Sequence, residues 1–394
     1  MSNFKGYKTL QSYVDVVGEV AIKKYHGKWG NTDVDWEINM QKAFKSKYSF
    51  GVEKLTSNSY KMPRYATSLG GMAEIFPERI RRVLFSLSCE EVCNQLEEIK
   101  NDLKNSNLKF QDIHPGNILF CSKEKCLKLT DFYWCNKEKI SNLDFVTNKY
   151  YSLDDAEAIK IIQQEVTYFF NRLFRWQIKE IKNEFVQSVG KVYNDGSFVA
   201  PGIAYHPIDI PGFRDIPFYH KNCVEEYDMI KKFIPKNINH AVDIGCSSGY
   251  FSFNLLRDNF LTSMSVYETD KPLLTLLTKI KTLYLLDPLQ IKGTFDDSSS
   301  FESDVTIWMN NYQWINKEIG KDRALQALKK VIANSKLLFF QASGTESAGT
   351  AIVDYFENKD KIVSIIDSLG GKAELINSTT KHGGIRHLFK VEPK

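Results

Sequence analysis

Apolar positions change their period along the chain. Between about 153 and 190, Ile159, Ile162, Val166, Phe169, Phe170, Leu173 and Phe174 recur at three- and four-residue spacing. That spacing lines one face of a helix, so one or two helices are predicted there. From about 223 onward, short apolar runs alternate with amphipathic ones. HAVDIG, SMSVYE, DVTIWM, KLLFFQA and RHLFKV read as strands, whereas EEYDMIKKFI, RALQALKKVIA and TAIVDYFENKDKIVSIIDSL read as helices. This alternation predicts a parallel sheet covered on both faces. Residues 1 to about 150 mix short β-rich runs with turns, and residues 191–222 are crowded with Gly, Pro and aromatic side chains. The latter texture suits a linker or an arm over a substrate. The expected division is therefore an α+β domain over 1–190, a connector over 191–222 and an α/β Rossmann-like domain over 223–394.

Composition narrows the function classes. At 394 residues the chain is long for one domain. Charged residues are 25% and apolar residues 43%, an ordinary globular composition that argues against disorder. The net charge of +4 is too small to indicate a dedicated nucleic-acid binder. The polar start MSNFKGYKTLQ is unlike a secretory signal, and no apolar run reaches the roughly 18 residues of a membrane span. The seven cysteines form no C-x-x-C pair and are odd in number, which reads as reduced thiols of a cytoplasmic protein.

The run Ala241-Val242-Asp243-Ile244-Gly245-Cys246-Ser247-Ser248-Gly249-Tyr250 carries the first site. An apolar strand ends at Asp243, a glycine turn follows, and a helix begins near Tyr250. Glycine lets the backbone approach a ligand, and open α/β sheets bind ligands beyond the carboxyl ends of their strands. Nineteen residues past Gly249 the next strand ends in Glu268, a carboxylate able to accept from both ribose hydroxyls. The spacing D-x-G-x-x-x-G departs from the G-x-G-x-x-G of a pyrophosphate site. Over roughly residues 200–394 the chain resembles class I S-adenosylmethionine-dependent methyltransferases. That resemblance implies that Asp243, Gly245, Cys246, Gly249, Tyr250 and Glu268 hold S-adenosylmethionine. It also implies that Asp296 or Asp297 lies near the adenine. In Asp304 to Asn311 it implies a fourth strand whose end faces the transferred methyl, and it implies that Asn310 is a cofactor residue. Arg214, His220, Lys381, His382 and Arg386 are candidate contacts for an anionic acceptor.

The second site rests on Asp112-Ile113-His114-Pro115-Gly116-Asn117, followed by Asp131-Phe132 after the next strand. Phosphoryl transfer needs a carboxylate to orient the attacking hydroxyl, here Asp112, and hard oxygen ligands for magnesium, here Asn117 and Asp131. HPGNILF with its downstream Asp-Phe resembles the aminoglycoside phosphotransferase branch of the protein-kinase-like fold. By that resemblance Val20-Ala21-Ile22-Lys23 supplies the lysine for the ATP phosphates and Glu37 pairs with it. Asp154 or Asp155 then braces the loop around Asp112. Phe110-Gln111 and Tyr133 depart from the family pattern. Only Gly6 and Gly18 precede Lys23, so no glycine-rich phosphate loop is visible. Lys23 or Glu37 alone would suit a solvated surface.

The two resemblances together are similar in content to the bifunctional kinase–methyltransferases that terminate O-antigen chains, though here the kinase-like part comes first. They imply a small-molecule or glycan acceptor, with S-adenosylmethionine, ATP and Mg2+ as cofactors. Two alternatives stay open: a methyltransferase carrying a pseudokinase recognition domain, and an RNA-modifying methyltransferase. The second would need a basic, aromatic-lined track.

Overall fold

The computed structural model describes residues 12–25, 31–65, 67–71, 73–137, 149–150, 153–188, 191–192, 198–199, 203–259, 261–343, 356, 358–381 and 384–394. The chain divides into two compact units, Met1–Trp176 and Gln177–Lys394.

The N-terminal unit contains β1 (Ser12–Val17), β2 (Val20–Tyr25), α1 (Asn31–Ala43), β3 (Glu53–Thr56), β4 (Ser59–Pro63) and β5 (Thr67–Ser68). It continues with α2 (Pro77–Leu84), α3 (Cys89–Asn105), β6 (Ile118–Cys121), β7 (Cys126–Leu129) and α4 (Asp155–Leu173). Four antiparallel strands form a sheet in the order β1-β2-β4-β3, and a smaller sheet has the order β5-β6-β7. Alternation along β2 turns Ala21, Lys23 and Tyr25 to the buried side. There Ala21 and Tyr25 pack with Val34 and Ile38 of α1 and with Tyr60 and Met62 of β4. The strand pattern thus carries a lysine inward along with the apolar residues. Gly18 occupies the tight turn between β1 and β2 at φ +60°, so it serves a hairpin. Gly6 lies outside the described residues.

The predicted helical stretch forms α4 and α5 (Arg175–Ser188). Ile159, Ile162, Val166 and Phe174 are its most buried stripe positions, whereas Phe169, Phe170 and Leu173 are half-buried. The division between units falls inside α5, ahead of the boundary expected at 190. The buried side of α5 belongs to the second unit: Ile178 lies against Gly212, and Lys182 pairs with Asp215 at 2.5 Å.

The C-terminal unit contains β8 (Lys191–Val192), β9 (Phe198–Val199), α6 (Cys223–Lys231), β10 (His240–Ile244), α7 (Tyr250–Asp258), β11 (Ser263–Tyr267), α8 (Lys271–Tyr284) and β12 (Leu289–Lys292). Next come β13 (Val305–Met309), α9 (Tyr312–Ile319), α10 (Lys321–Asn334), β14 (Leu338–Ser343), α11 (Lys359–Ser368), β15 (Gly371–Lys381) and β16 (Gly384–Pro393). Seven strands form one sheet in the order β12-β11-β10-β13-β14-β16-β15. The chain reverses its direction of travel across the sheet between β10 and β13, which makes a Rossmann-like switch point with a crevice at the strand ends.

The expected all-parallel sheet needs one correction. β16, the run RHLFKV, is antiparallel to both β14 and β15. Only two residues separate β15 from β16, and a parallel connection would need a crossover of a dozen or more. The segment 203–222, expected as a linker or arm, is folded into this unit. Ala204 bridges Phe218, and Ile208, Ile210, Phe213 and Ile216 are buried.

Candidate functional sites

In the N-terminal unit, Lys23 Nζ donates to both Glu37 oxygens at 3.1 Å and to Asp131 at 2.9 Å. Tyr25 Oη also donates to Glu37, and Tyr60 Oη does so at 2.9 Å. Burial alone would lower the Lys23 pKa, but the Asp131 and Glu37 carboxylates outweigh it and hold the ammonium well above its ordinary value. Burial pushes the Glu37 carboxyl up, and the Lys23 charge pulls it back.

Asp131 lies in the left-handed region at φ +69°, two residues past the end of β7. Phe132 behind it packs on Phe44 at 5.5 Å and on Phe110 at 5.0 Å between ring centres, which anchors the turn. Asn117 Nδ2 donates to the Asp112 carboxylate at 3.2 Å and to the Asp112 carbonyl at 3.0 Å. Thr130 N donates to Asn117 O, which brings Asn117 beside the strand end that carries Asp131. Of the two candidate braces, Asp155 accepts from Phe110 N at 2.6 Å and Gln111 N at 2.8 Å, whereas Asp154 caps α4. Burial lowers the pKa of His114, so its 3.9 Å approach to Asp112 is that of a neutral ring at pH 7.

In the C-terminal unit, Gly245 and Gly249 adopt φ of +71° and +84°. A Cβ on Gly245 would overlap the Asn311 amide, which itself donates to Ile244 O at 3.0 Å. A Cβ on Gly249 would press on Phe253 and Leu277. Both glycines are therefore required by turn geometry and by close neighbours. Glu268 closes the loop: one oxygen accepts from Ser247 N at 2.8 Å, and the other accepts from Thr269 N and Asp270 N. Asp243 is buried under the loop and accepts from Ser252 Oγ at 2.5 Å. Burial drives its pKa up to about 7 against that hydrogen bond, and the Glu268 charge adds to the rise. Cys246 and Tyr250 are buried beside it.

The arm reaches the same loop, since Ser248 Oγ donates to His206 O at 2.9 Å. Tyr205, His206 and His220 form one ring cluster, and Arg386 donates to Tyr205 Oη at 3.3 Å. His220 is itself buried and contacts Glu226 at 3.1 Å. His220 and Arg386 thus come together through Tyr205. Arg214 is placed elsewhere. It pairs with Asp209, which also holds Arg257 near the far end of α7 from the glycine loop. Lys381 ends β15, and its side chain, like His382, lies outside the described residues. The two adenine candidates separate. Asp296 holds a turn with Ser298 and Ser299 beside Tyr267, whereas Asp297 is engaged by Arg323. Asn310 follows β13 directly and is buried.

No family model matches the chain, and no curated protein matches it. Similar solved structures include the N-terminal domain of EvdMO1 in the presence of SAH and D-fucose, at 11% identity, covering 57% of this chain and 97% of that one, with a TM-score of 0.41. The bifunctional kinase-methyltransferase WbdD is similar at 13% identity, covering 53% of this chain and 45% of that one, with a TM-score of 0.41. Magnesium protoporphyrin IX methyltransferase (ChlM) from Synechocystis PCC 6803 with bound SAH is similar at 12% identity, covering 44% and 81%, with a TM-score of 0.34. The chain thus spans less than half of the WbdD chain. What the two sites can do rests on their own residues.

Several of those residues escape a reading by motif. Tyr60 is the register partner of Lys23 across β2 and β4, a pairing that linear spacing does not reveal. Glu226 carries a signal in principle. It stands on the buried stripe Cys223, Glu226, Tyr227, Ile230 of α6, where an acid is out of place. Gln341 similarly interrupts the apolar strand LFFQAS.

Proposed function

We propose that the chain is a bifunctional enzyme. Its N-terminal unit, kinase-like in this reading, phosphorylates a hydroxyl of a saccharide or similar polyol at the expense of ATP. Its C-terminal unit methylates the new phosphate or a group beside it from S-adenosylmethionine. The observation that carries this reading is the convergence of Lys23, Glu37 and Asp131, with Asp112 and Asn117 held in one braced loop.

Asn117 and Asp131 offer the oxygen donors that magnesium takes, and the metal would neutralise charge on the transferred phosphoryl group. Asp112 orients the attacking hydroxyl, Lys23 holds phosphate oxygens, and Glu37 with its two tyrosines fixes Lys23. In the C-terminal unit, Gly245, Gly249 and Glu268 cradle S-adenosylmethionine, whose sulfonium supplies an activated methyl. The protein then contributes alignment of the acceptor and exclusion of water.

A second reading keeps the methyltransferase and makes the N-terminal unit a recognition module. Gly18 favours it, because that residue serves a hairpin and leaves no glycine-rich phosphate loop among the described residues. Calorimetric titration of the full chain with Mg-ATP and, separately, with S-adenosylmethionine decides between them. Binding of both is expected, with Asp131→Ala removing only the first and Gly245→Arg only the second. Binding of S-adenosylmethionine alone would leave the second reading, and binding of neither would overturn both.

A further inference from the structure

Two departures from the kinase-like pattern, Gln111 and Tyr133, meet at Lys137. The Lys137 carbonyl accepts from Gln111 Nε2 at 2.7 Å. Its Nζ lies 3.5 Å from the centre of the Tyr133 ring and 5.6 Å from that of Trp36. The same Nζ donates to Asp33 Oδ1 at 3.3 Å, and Tyr133 hydrogen-bonds to that carboxylate as well. Tyr133 is buried with Ala21 and Tyr25 of β2 and with Val34 and Ile38 of α1. Next to Lys137, Asn136 N donates to Lys109 O, and Asn136 Oδ1 accepts from Lys109 N, both at 2.8 Å. The segment 132–137 is therefore tied both to the loop that carries Asp112 and to α1. A glycine after Asp131-Phe132 would leave the backbone there many conformations, and a buried tyrosine fixes one.

Asp33 stands one turn ahead of Glu37, so both carboxylates leave the same face of α1. Glu37 reaches Lys23, whereas Asp33 reaches Lys137. The first turn of a helix has N–H groups without intrahelical partners, so it is the part most in need of an outside tie. We propose that Lys137 is a positioning residue for the phosphate site. By joining Gln111, Tyr133 and Asp33 it holds α1, and with it Glu37 and Lys23, in the nucleotide-binding arrangement before a ligand arrives. This rests on the kinase-like reading of the N-terminal unit and deepens it. Lys137 is not a member of the Lys23, Glu37 and Asp131 cluster, so its effect passes through α1.

Hydrogen exchange of the ligand-free full chain and calorimetry with Mg-ATP test this together. In Lys137→Met the amides of α1 should exchange about tenfold faster, while those of α3, in the same unit, keep their wild-type protection. Mg-ATP should bind about tenfold more weakly, the scale of one hydrogen bond to a charged group. Lys137→Arg keeps a cation over the Tyr133 ring and should restore both readouts to within about twofold. Asp33→Asn combined with Lys137→Met should weaken Mg-ATP no more than the larger single effect, because both act on one tie. Wild-type affinity for Mg-ATP in Lys137→Met, additive losses in the double variant, or equal loss of protection in α1 and α3 overturns the inference and leaves the kinase-like reading standing. Failure of the wild type to bind Mg-ATP overturns that reading, and this inference with it.

Discussion

Glu37 and Glu226 are both wholly buried carboxylates, and the two units satisfy them differently. Around Glu37 the partners are an ammonium and two phenols, and the ammonium is shared with Asp131. Around Glu226 they include a histidine and a primary amide, and the amide passes direction onward to Asn310. A closed ion cluster holds its members by mutual charge, so loss of one member leaves a buried charge exposed to a poor medium. From Glu226 the chain instead runs through two amides, so its direction is set by which end each amide turns to its neighbour.

The sharpest way to break this contrast is Lys23→Met. It strands Glu37, and the N-terminal unit should lose about 3–5 kcal/mol in urea unfolding, together with all phosphoryl transfer. If the loss is under about 1 kcal/mol, Glu37 is not held as an ion and the contrast fails.

Asp243 tests burial without a cation. Its folded pKa of about 7 exceeds the unfolded value of about 3.9. The fold therefore favours the neutral acid, and its contribution is fully present below about pH 4 and lost as the pH rises toward 7. The difference corresponds to about 4 kcal/mol. Asp243→Asn should flatten the fall in stability between pH 4 and 7, measured by denaturant titration at several pH values. A parallel decline in both proteins would contradict the shift.

Gly245→Ala tests the backbone side of the C-terminal site. The left-handed φ costs about 1–2 kcal/mol, and the Cβ also displaces Asn311 from Ile244 O. A loss of about 2–3 kcal/mol in stability is expected, with S-adenosylmethionine binding weakened in calorimetry. Retention of wild-type affinity would show that the loop geometry is not what the ligand needs. The smallest expected effect is that of Tyr60→Phe, which removes one of two phenols on Glu37 and should cost about 1.5 kcal/mol in urea unfolding. A neutral result would reduce the Glu37 cluster to its lysine.

Local structure was legible in the sequence, and long-range pairing was not. The stretch from β10 through the glycine loop to α7 is contiguous, so its strand, turn and helix could be read from one run of residues. Lys23 could be read because strand alternation and a four-residue motif agree on it. Tyr60, Glu226 and Gln341 act through partners on other elements, 23, 115 and 31 residues from the residue they hold. The reversal of β16 was hidden for a related reason, because strand direction is set by pairing with β14 and β15 and not by the apolar positions Leu388, Phe389 and Val391. Gly18 shows the same limit: the sequence places it near Lys23, and only the hairpin register gives it the turn between β1 and β2.

The central claim is that the chain holds two separate ligand sites, and ligand-induced thermal stabilisation tests it most directly. Melting of the full chain would be followed with Mg-ATP, with S-adenosylmethionine and with both, in the wild type and in Asp131→Ala and Gly245→Arg. The account predicts that each ligand raises the melting temperature and that each variant abolishes the response to its own ligand alone. Loss of both responses in either variant, or no response to Mg-ATP in the wild type, would contradict it.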